Sequence, residues 1–425
     1  MKATKYLFAI PLLCFIACSA PKEEAGVVAN NEIAKARLDS TLNGLVETGM
    51  LAGASALIFE KGEEVYFNAY GYADREAKAP MDRNTIAIIY SMTKPVTGAA
   101  LMTLYDKGAF QLDEPLSKYA PEFADMQVFA GIDSVSGEMI LEPLERPITI
   151  RDITRHTAGF ANNPNMPGLG DVLRAVDPAN RENTLVQMAE KMGTIPLMFQ
   201  PGTQWAYGPS VDVQAFLVER LSGVPYGEYV KKNVLDPLGM NETRYFVPES
   251  DRERISAIYR KSEDGTLTQL PDSSAHSFNI NQWALTPGGY GLTSTVGDYM
   301  RLAQMYVNEG TLDGATILKP ETVKLMATNH LDENIKERMW LPSKGQVGFG
   351  IDFAVRLRPP ASADENHGIV GEFFWDGAAS TLFWVDPVND LTAVLFVQIM
   401  PFAGQVHKKF RDAVYGPYAS APAGK

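Results

Sequence analysis

The pattern of apolar and polar positions at the start of the chain predicts a helix followed by a two-stranded hairpin. Apolar residues recur at helical spacing between residues 33 and 46, and Gly49 follows them. This pattern is typical of an amphipathic helix that ends near a glycine. Residues 54–60 and 65–70 are predicted strands, and they flank the turn sequence Lys61-Gly62-Glu63. We therefore expect the two strands to pair as a hairpin.

The segment from residue 88 to residue 108 begins with a β-branched apolar run and continues with helical spacing. Apolar side chains recur three or four positions apart as far as Leu104, and Gly108 is a typical helix end. Pro95 has no N–H for the helical ladder, so it fits only near the helix start. These features place Ser91 at the amino-terminal end of the predicted helix, beside backbone N–H groups that lack helical partners.

Residues 110–245 have a mainly helical and loop-rich pattern. The sequence Thr149-Ile150-Arg151-Asp152 is a capping box, which predicts a short helix at this point. Longer helices are predicted at residues 182–192, 211–222 and 226–235. This part of the chain therefore forms a predicted helical insertion.

Beyond residue 245 the pattern is irregular at first and then becomes strand-like. We predict a hairpin turn at Asp264-Gly265, a helix at 295–307, strands at 347–355, 379–385 and 391–398, and a terminal helix at 406–415. The predicted strands thus lie at both ends of the chain, with helices between them. The economical arrangement is an α/β sandwich, in which one antiparallel sheet built from both ends is flanked by helices and carries the insertion.

The amino-terminal segment is typical of a secreted lipoprotein. Two lysines precede an apolar run that is too short to span a bilayer, which predicts a signal peptide at residues 1–17. The sequence Phe15-Ile16-Ala17-Cys18 resembles a lipobox, although Phe15 replaces the usual leucine, so plain secretion stays an alternative. We expect a lipid anchor at Cys18, a tether at 18–30, one domain at 31–417 and a tail at 418–425. The expected location is the cell envelope, facing the periplasm or the exterior.

Composition narrows the range of partners. The chain has 425 residues with 45% hydrophobic and 21% charged residues, which are ordinary values for a globular protein. Its net charge is −13, which argues against nucleic acid as a partner. The five histidines are scattered, so we expect neither a metal nor another cofactor. The two cysteines, Cys14 and Cys18, both lie in the amino-terminal segment, so we expect no internal disulfide in the mature chain.

The first candidate for chemistry is the pair Ser91 and Lys94. Residues three apart share a helix face, so the Lys94 amine can reach the Ser91 hydroxyl and take its proton. Four letters alone are weak evidence, because Ser19-Ala20-Pro21-Lys22 has the same spacing in a polar segment without helical pattern. The alternative for Ser91 is a simple helix cap. A base and an oxyanion hole elsewhere in the chain are needed to decide between the two.

Two further stretches supply such groups. The loop at residues 200–210 delivers Tyr207 just before a helix, where a tyrosinate near a lysine can act as a base; packing is the alternative. His156 could pair with a serine, but a histidine before a glycine turn more often binds loop backbone. Residues 374–379 precede a strand, and an edge strand beside a nucleophile can direct a backbone N–H at an oxyanion.

The order of these motifs resembles that of a known superfamily. S-x-x-K at Ser91, P-G-x-x-W-x-Y ending at Tyr207, G-G-x-G at 288–291 and W-x-G at 375–377 follow one another. This order is similar to that of serine β-lactamase-like proteins, above all class C β-lactamases and family VIII carboxylesterases. The similarity covers roughly residues 30–415. It implies a β-lactamase/transpeptidase-like fold with the active site between the sandwich and the helical domain.

The resemblance also implies roles for individual residues. Ser91 would be acylated, and Lys94 and Tyr207 would relay its proton. The backbone N–H groups of Ser91 and Ala378 would form the oxyanion hole. The family's pattern therefore turns three weak local signals into one predicted catalytic site.

Departures from the lactamase pattern indicate the substrate class. Pro209 stands two residues after the tyrosine, where lactamases usually have an asparagine. Trp375 stands where they usually have the lysine that binds the β-lactam carboxylate, and Asp376 lies beside it. An anionic substrate would lose a charge-assisted contact of about 1.5–3 kcal/mol and meet a like charge. An uncharged ester would lose nothing. We predict a substrate pocket that includes Pro209, Trp375, Asp376 and Gly377.

The sequence thus predicts a membrane-anchored serine hydrolase that acts through an acyl-enzyme. The favoured activity is that of a carboxylesterase on small or medium acyl esters. Three alternatives stay open: an enzyme for β-lactams or D-amino-acid peptides, an acyltransferase with an alcohol acceptor, and a non-catalytic sensor on the same fold. The expected partners are a small ester or amide and the membrane.

Overall fold

The described part of the chain starts beside a buried glutamate on the first strand. The computed structural model describes residues 28–418, so the predicted signal peptide, the anchor Cys18, the control Ser19 and most of the tail lie outside the described residues. Residues 28–30, predicted as tether, are held in place because their backbone N–H groups donate to the Glu60 carboxylate at 2.6–3.1 Å. No helix within the described part is long and apolar enough to cross a membrane.

The helices largely follow the predicted apolar spacing. Their bounds are α1 (Glu32–Glu47), α2 (Thr93–Asp106), α3 (Ile150–Thr154), α4 (Leu169–Val176), α5 (Leu185–Gly193), α6 (Ser210–Ser222), α7 (Tyr226–Val230), α8 (Asp272–Ala275), α9 (Val296–Val307), α10 (Pro320–Met326) and α11 (Gly404–Tyr415). The capping box at Thr149 is present, and α7 continues into a single π-helical segment, Lys231–Leu235.

The strands of the central sheet come from both ends of the chain, as predicted, and shorter strands lie between them. Their bounds are β1 (Gly53–Glu60), β2 (Glu63–Asp74), β3 (Ala79–Pro80), β4 (Ala87–Ile88), β5 (Gln127–Ile132), β6 (Met139–Pro143), β7 (Tyr259–Lys261), β8 (Leu267–Gln269), β9 (Thr293–Ser294), β10 (Thr311–Leu312), β11 (Ala315–Thr316), β12 (Val347–Phe349), β13 (Ala354–Arg356), β14 (Phe373–Asp376), β15 (Leu382–Asp386), β16 (Leu391–Phe396) and β17 (Ile399–Met400).

One eight-stranded sheet forms the centre of the domain. Its order is β12-β13-β14-β15-β16-β1-β2-β3, and every neighbouring pair is antiparallel. The first and last parts of the chain meet between β1 and β16, where Leu57 lies opposite Val394. This confirms the predicted antiparallel sheet assembled from both ends.

Helices cover both faces of this sheet. Successive residues of a strand point to opposite faces, and β15 shows the two layers directly. Phe383 packs against Tyr299 of α9 at 5.1 Å between ring centroids, whereas the neighbouring Trp384 packs against Phe410 of α11 at 5.4 Å. The guanidinium of Arg37 on α1 donates to the Ala413 carbonyl oxygen on α11, so α1 and α11 share one face. The result is the predicted α/β sandwich.

Three local predictions were wrong. The predicted strand at 347–355 is two strands, because the chain turns at Asp352, whose φ is +65°. The segment before the strand predicted at 379–385 is itself strand β14, and β15 starts only at Leu382. Both faces of β14 are buried, so it lacks the polar alternation that marks a half-exposed strand. The insertion also contains the hairpin of β5 and β6, where only helices and loops were expected.

The helical insertion lies against the helix that follows Ser91. Helix α6 buries Val213, Phe216 and Leu217 completely, within the same apolar core as Val96 and Leu101 of α2. The core is therefore continuous from the sheet through α2 into the insertion. Residues that follow the start of α2 lie at the junction of these two parts.

Candidate active site

Ser91 lies in a tight turn between a strand and a helix. β4 pairs with β9, and a 3₁₀ turn over Tyr90–Met92 connects it to the first residue of α2. Tyr90 has φ +44°, which is a strained value for a residue with a side chain. Pro95 occupies the first turn of α2, as predicted. The turn presents Ser91, half-buried, at the amino-terminal end of the helix.

Lys94 points back towards Ser91. Its ammonium nitrogen lies 3.3 Å from Ser91 Oγ and donates a 2.6 Å hydrogen bond to the Gly289 carbonyl oxygen. The lysine side chain is almost entirely buried, with 4% exposed. The predicted G-G-x-G segment therefore delivers a backbone acceptor to the lysine. A Cβ at Gly289 would lie 3.3 Å from Lys94 Nζ, so a glycine at this position leaves the lysine its space.

Asp212 completes this side of the site, and the sequence analysis missed it. One of its carboxylate oxygens accepts a 2.9 Å hydrogen bond from the Gly289 backbone N–H. Burial raises the pKa of Asp212, while the backbone hydrogen bonds from Gly289 and Gly288 and the Lys94 charge oppose that rise. The available signal was an acidic residue between Val211 and Val213 in a predicted helix that is otherwise largely apolar.

The ring of Tyr207 contacts the Lys94 ammonium. Lys94 Nζ lies 4.5 Å from the centroid of the Tyr207 ring, within cation–π range. The indole N–H of Trp375 donates to the Tyr207 hydroxyl oxygen at 3.2 Å. The structure thus brings together Ser91, Lys94 and Tyr207, the three residues with predicted catalytic roles. Their roles in catalysis stay predictions.

Aromatic side chains enclose Tyr207. Trp205, Trp340, Trp375 and His156 have ring centroids within 4.7–6.0 Å of the Tyr207 ring. His156 is fully buried, and burial together with the Lys94 charge holds its pKa well below the usual value. Neither of its ring nitrogens has a hydrogen-bond partner among residues 28–418. His156 therefore packs as a neutral ring against Tyr207, and its side chain binds no loop backbone.

A cavity of about 460 Å³ opens beside this cluster. Lys94, Tyr207 and Asp212 line it, and the predicted pocket residue Pro209 also lies in its wall. The lining is mostly apolar and includes Phe160, Leu173, Met192, Ile195 and Tyr290, while Arg174 and Asp177 add one charged group of each sign. This size lies within the usual range for small-molecule sites.

The other predicted pocket residues, Trp375, Asp376 and Gly377, are not among the residues that line this cavity. Trp375 is 1% exposed and contacts Tyr207, so it forms a wall behind the tyrosine. Gly377 follows β14, and a Cβ there would come within 2.6 Å of the Ile89 carbonyl oxygen. The strand end and the Ser91 turn are therefore in close contact. Ala378 is exposed in the turn that follows, and its oxyanion role stays a prediction.

Asp376 differs from expectation. The sequence alone predicts that its carboxylate is a negative charge near the substrate. In the structure its carboxylate forms a hydrogen-bonded ion pair with the Lys344 ammonium, and both side chains are about nine-tenths buried. Lys344 lies 32 residues upstream, so no local pattern indicated this pairing. The pair adds no net charge to the site.

Comparisons with known proteins match most of the chain. The Beta-lactamase family model matches residues 38–415. Protein Rv1367c of Mycobacterium tuberculosis is 31% identical over 366 residues, which cover 85% of this chain and 89% of that protein. Lovastatin esterase of Penicillium rubens is 27% identical over 409 residues, which cover 90% of this chain and 99% of that protein.

A solved structure shows the same fold. The structure of EstCE1, described as a hydrolase with promiscuous acyltransferase activity, superposes with a TM-score of 0.73 at 24% identity, over 90% of this chain and 98% of that one. The similar proteins thus include esterases and an enzyme that also transfers acyl groups. The chain belongs to the beta-lactamase family, whose fold it has.

Proposed function

We propose that the protein is a carboxylesterase that hydrolyses uncharged esters of small or medium acyl groups through an acyl-enzyme on Ser91. The observation that carries the proposal is the cluster of Ser91, Lys94 and Tyr207 beside a largely apolar cavity. A serine needs a neighbouring proton acceptor to attack a carbonyl carbon. Lys94 contacts Ser91, and Tyr207 contacts Lys94. The mostly apolar lining of the cavity suits a hydrocarbon acyl or alcohol group.

The proposed reaction has two halves. Ser91 Oγ attacks the ester carbonyl carbon while its proton passes to Lys94, and Lys94 gives one of its own protons to the Tyr207 oxygen. Tyr207 then gives that proton to the alcohol as it leaves. Water then attacks the acyl-enzyme, releases the carboxylic acid and restores the serine. The backbone N–H groups of Ser91 and Ala378 would stabilise the oxyanion in both halves.

The preference for uncharged substrates follows from the charges around the site. Trp375 presents a ring where lactamases carry a lysine, and Lys344 is already paired with Asp376. The cavity is lined by two basic side chains, Lys94 and Arg174, and two acidic ones, Asp177 and Asp212. A substrate carboxylate therefore meets no excess of positive charge in this lining, and its desolvation would be uncompensated.

A direct assay tests the proposal. Purified protein should hydrolyse 4-nitrophenyl esters, and a chromogenic cephalosporin should be a far poorer substrate. Replacing Ser91 with Ala should lower ester turnover at least about a thousandfold, as for other nucleophiles that act with their base as a unit. Near-native turnover by the Ser91→Ala variant would refute the acyl-enzyme. Cephalosporin turnover as fast as ester turnover would refute the substrate class.

A second candidate is acyl transfer to an alcohol. It is favoured by the likeness to EstCE1 and by a cavity that is large enough for an apolar acceptor next to a small acyl group. Adding a hydrophobic alcohol during ester cleavage distinguishes the two activities. A transferase would form the new ester in preference to the free acid, whereas a hydrolase would release mainly acid.

We also propose that the protein is anchored to the cell envelope through a lipid on Cys18. The support is the lipobox-like sequence before Cys18 and the attachment of residues 28–30 to Glu60. Cys18 and Val28 are ten positions apart in the sequence, so the distance between them is at most about 36 Å. The Glu60 side of the domain would therefore lie near the membrane. Radiolabelled fatty acid should enter the native protein and fail to enter the Cys18→Ser variant.

A further inference from the structure

The ion pair of Lys344 and Asp376 lies at the edge of the active site. Asp376 is the last residue of β14 and directly precedes Gly377, which contacts the Ser91 turn. Lys344 ends the short 3₁₀ helix Leu341–Lys344. Strand β13 pairs with β14 only at Phe373 and Phe374, so Asp376 extends past the end of its neighbour strand. The lysine reaches the carboxylate at this open edge.

Aromatic rings surround the lysine ammonium. Its nitrogen lies 4.2 Å from the centroid of Phe402, 5.4 Å from that of Trp340 and 5.7 Å from that of Trp375. Trp340 and Trp375 also pack against Tyr207, at 5.0 and 5.4 Å between centroids. A single layer of indole rings therefore separates the Lys344 charge from a predicted catalytic residue.

Burial makes the balance of this pair important. An ion removed from water is tolerated only with a partner, and loss of one partner leaves the other charge uncompensated. Of the other titratable groups close to the pair, His407 is fully buried, and burial lowers its pKa to about 4, so it is neutral near pH 7. Arg411 is already bound by both Glu372 carboxylate oxygens. Asp376 is thus the group that balances Lys344.

We propose that Asp376 masks the Lys344 ammonium and thereby sets the preference of the active site for uncharged esters. The inference rests on the proposed esterase function and adds a specificity-determining pair to it. With the carboxylate present, the indole wall behind Tyr207 is electrically neutral. Without it, the ammonium becomes an unpaired cation behind Trp375, the residue that occupies the position of the substrate-binding lysine of lactamases.

Two esters of equal chain length test this inference. 4-Nitrophenyl hexanoate is uncharged, and the 4-nitrophenyl monoester of adipic acid carries a terminal carboxylate. The measured quantity is the ratio of kcat/KM for the anionic ester to that for the neutral ester. Asp376→Asn should raise this ratio about tenfold, Lys344→Met should lower it, and the double variant should return it towards the native value. Lys344→Arg keeps the charge and should keep the ratio within about twofold.

A matched control and a folding measurement separate specificity from stability. Asp412→Asn removes the carboxylate of another lysine–aspartate pair, Lys408 and Asp412 on α11, and should leave the ratio unchanged. Thermal unfolding identifies variants that do not fold, in which case Lys344→Arg and Lys344→Met still decide the question. Equal losses on both esters in every variant would show a purely structural clamp and overturn the inference. Native protein inactive on both esters would instead overturn the proposed function.

Discussion

Replacing Trp375 with Phe tests whether the hydrogen bond to Tyr207 contributes to catalysis. The indole N–H lies 3.2 Å from the tyrosine hydroxyl oxygen, and phenylalanine keeps most of the ring but has no donor. Trp375 also packs against Phe349, so its ring has a second fixed contact. The substitution therefore removes one hydrogen bond and a small part of the wall behind Tyr207.

The expected effect follows from how such bonds change during a reaction. A hydrogen bond between neutral groups contributes about 0.5–1.5 kcal/mol, and one to a charged group contributes about 1.5–3 kcal/mol. Only the difference lowers the barrier, because an interaction equally strong in both states leaves kcat unchanged. The tyrosine oxygen gains negative charge when Tyr207 gives its proton to the leaving alcohol, so the difference for that step is about 1–1.5 kcal/mol. The Trp375→Phe variant should then lose about fivefold to twelvefold in kcat.

The assay needs a control for lost packing. Trp340→Phe removes the same ring atoms beside the same tyrosine, and no hydrogen bond joins Trp340 to Tyr207 among the described residues. Steady-state kinetics on 4-nitrophenyl hexanoate should show lower kcat for Trp375→Phe at little changed KM, and near-native kcat for Trp340→Phe. Equal kcat values for the two variants would show that the indole N–H has no catalytic role.

Two further predictions concern the lysine and the buried histidine. Gly289→Ala should lower kcat at least about tenfold at nearly constant Tm, because its Cβ would crowd Lys94 Nζ and Asp212 at 3.2–3.3 Å; Gly297→Ala, which meets open space, should change neither quantity. Burial lowers the folded pKa of His407 to about 4, so its contribution to stability is present above pH 6.5 and lost as pH falls towards 4. In urea unfolding, the free energy of unfolding should fall by about 3 kcal/mol less over this pH range in the His407→Gln variant than in the native protein. An unchanged pH dependence would contradict this.

The sequence predicted those parts of the fold that depend on local pattern. Helix α2 is buried from Thr93 to Leu104, Pro95 marks its first turn, and Ser91 precedes it, so the turn that carries the predicted nucleophile could be located from neighbouring residues. The hairpin of β1 and β2 is fixed by the turn at Lys61-Gly62 in the same way. In each case the signal and the structure lie within about twenty residues of each other.

Features that depend on distant contacts could not be predicted. Asp212 meets Lys94 through Gly289, which lies 77 residues further along the chain, and nothing near Asp212 in sequence indicates this partner. Strand β14 is buried on both faces, so it lacks the alternation of apolar and polar residues that marks a half-exposed strand. The resemblance to a known family supplied the order of the motifs, whereas the pairing of side chains across the site required the structure.

The Lys344–Asp376 pair shows why substrate class is difficult to infer from one replaced residue. Trp375 in place of a lysine suggests a site that has lost its cation, and Asp376 suggests an added negative charge. The structure places a different lysine beside that aspartate, so the two changes leave the net charge of this wall at zero instead of making it negative. An uncharged ester is compatible with a neutral wall, so the proposed preference does not require a repulsive charge. Changing Trp375 to Lys while removing Asp376 would therefore create two unpaired cations and raise turnover of anionic substrates more than either change alone.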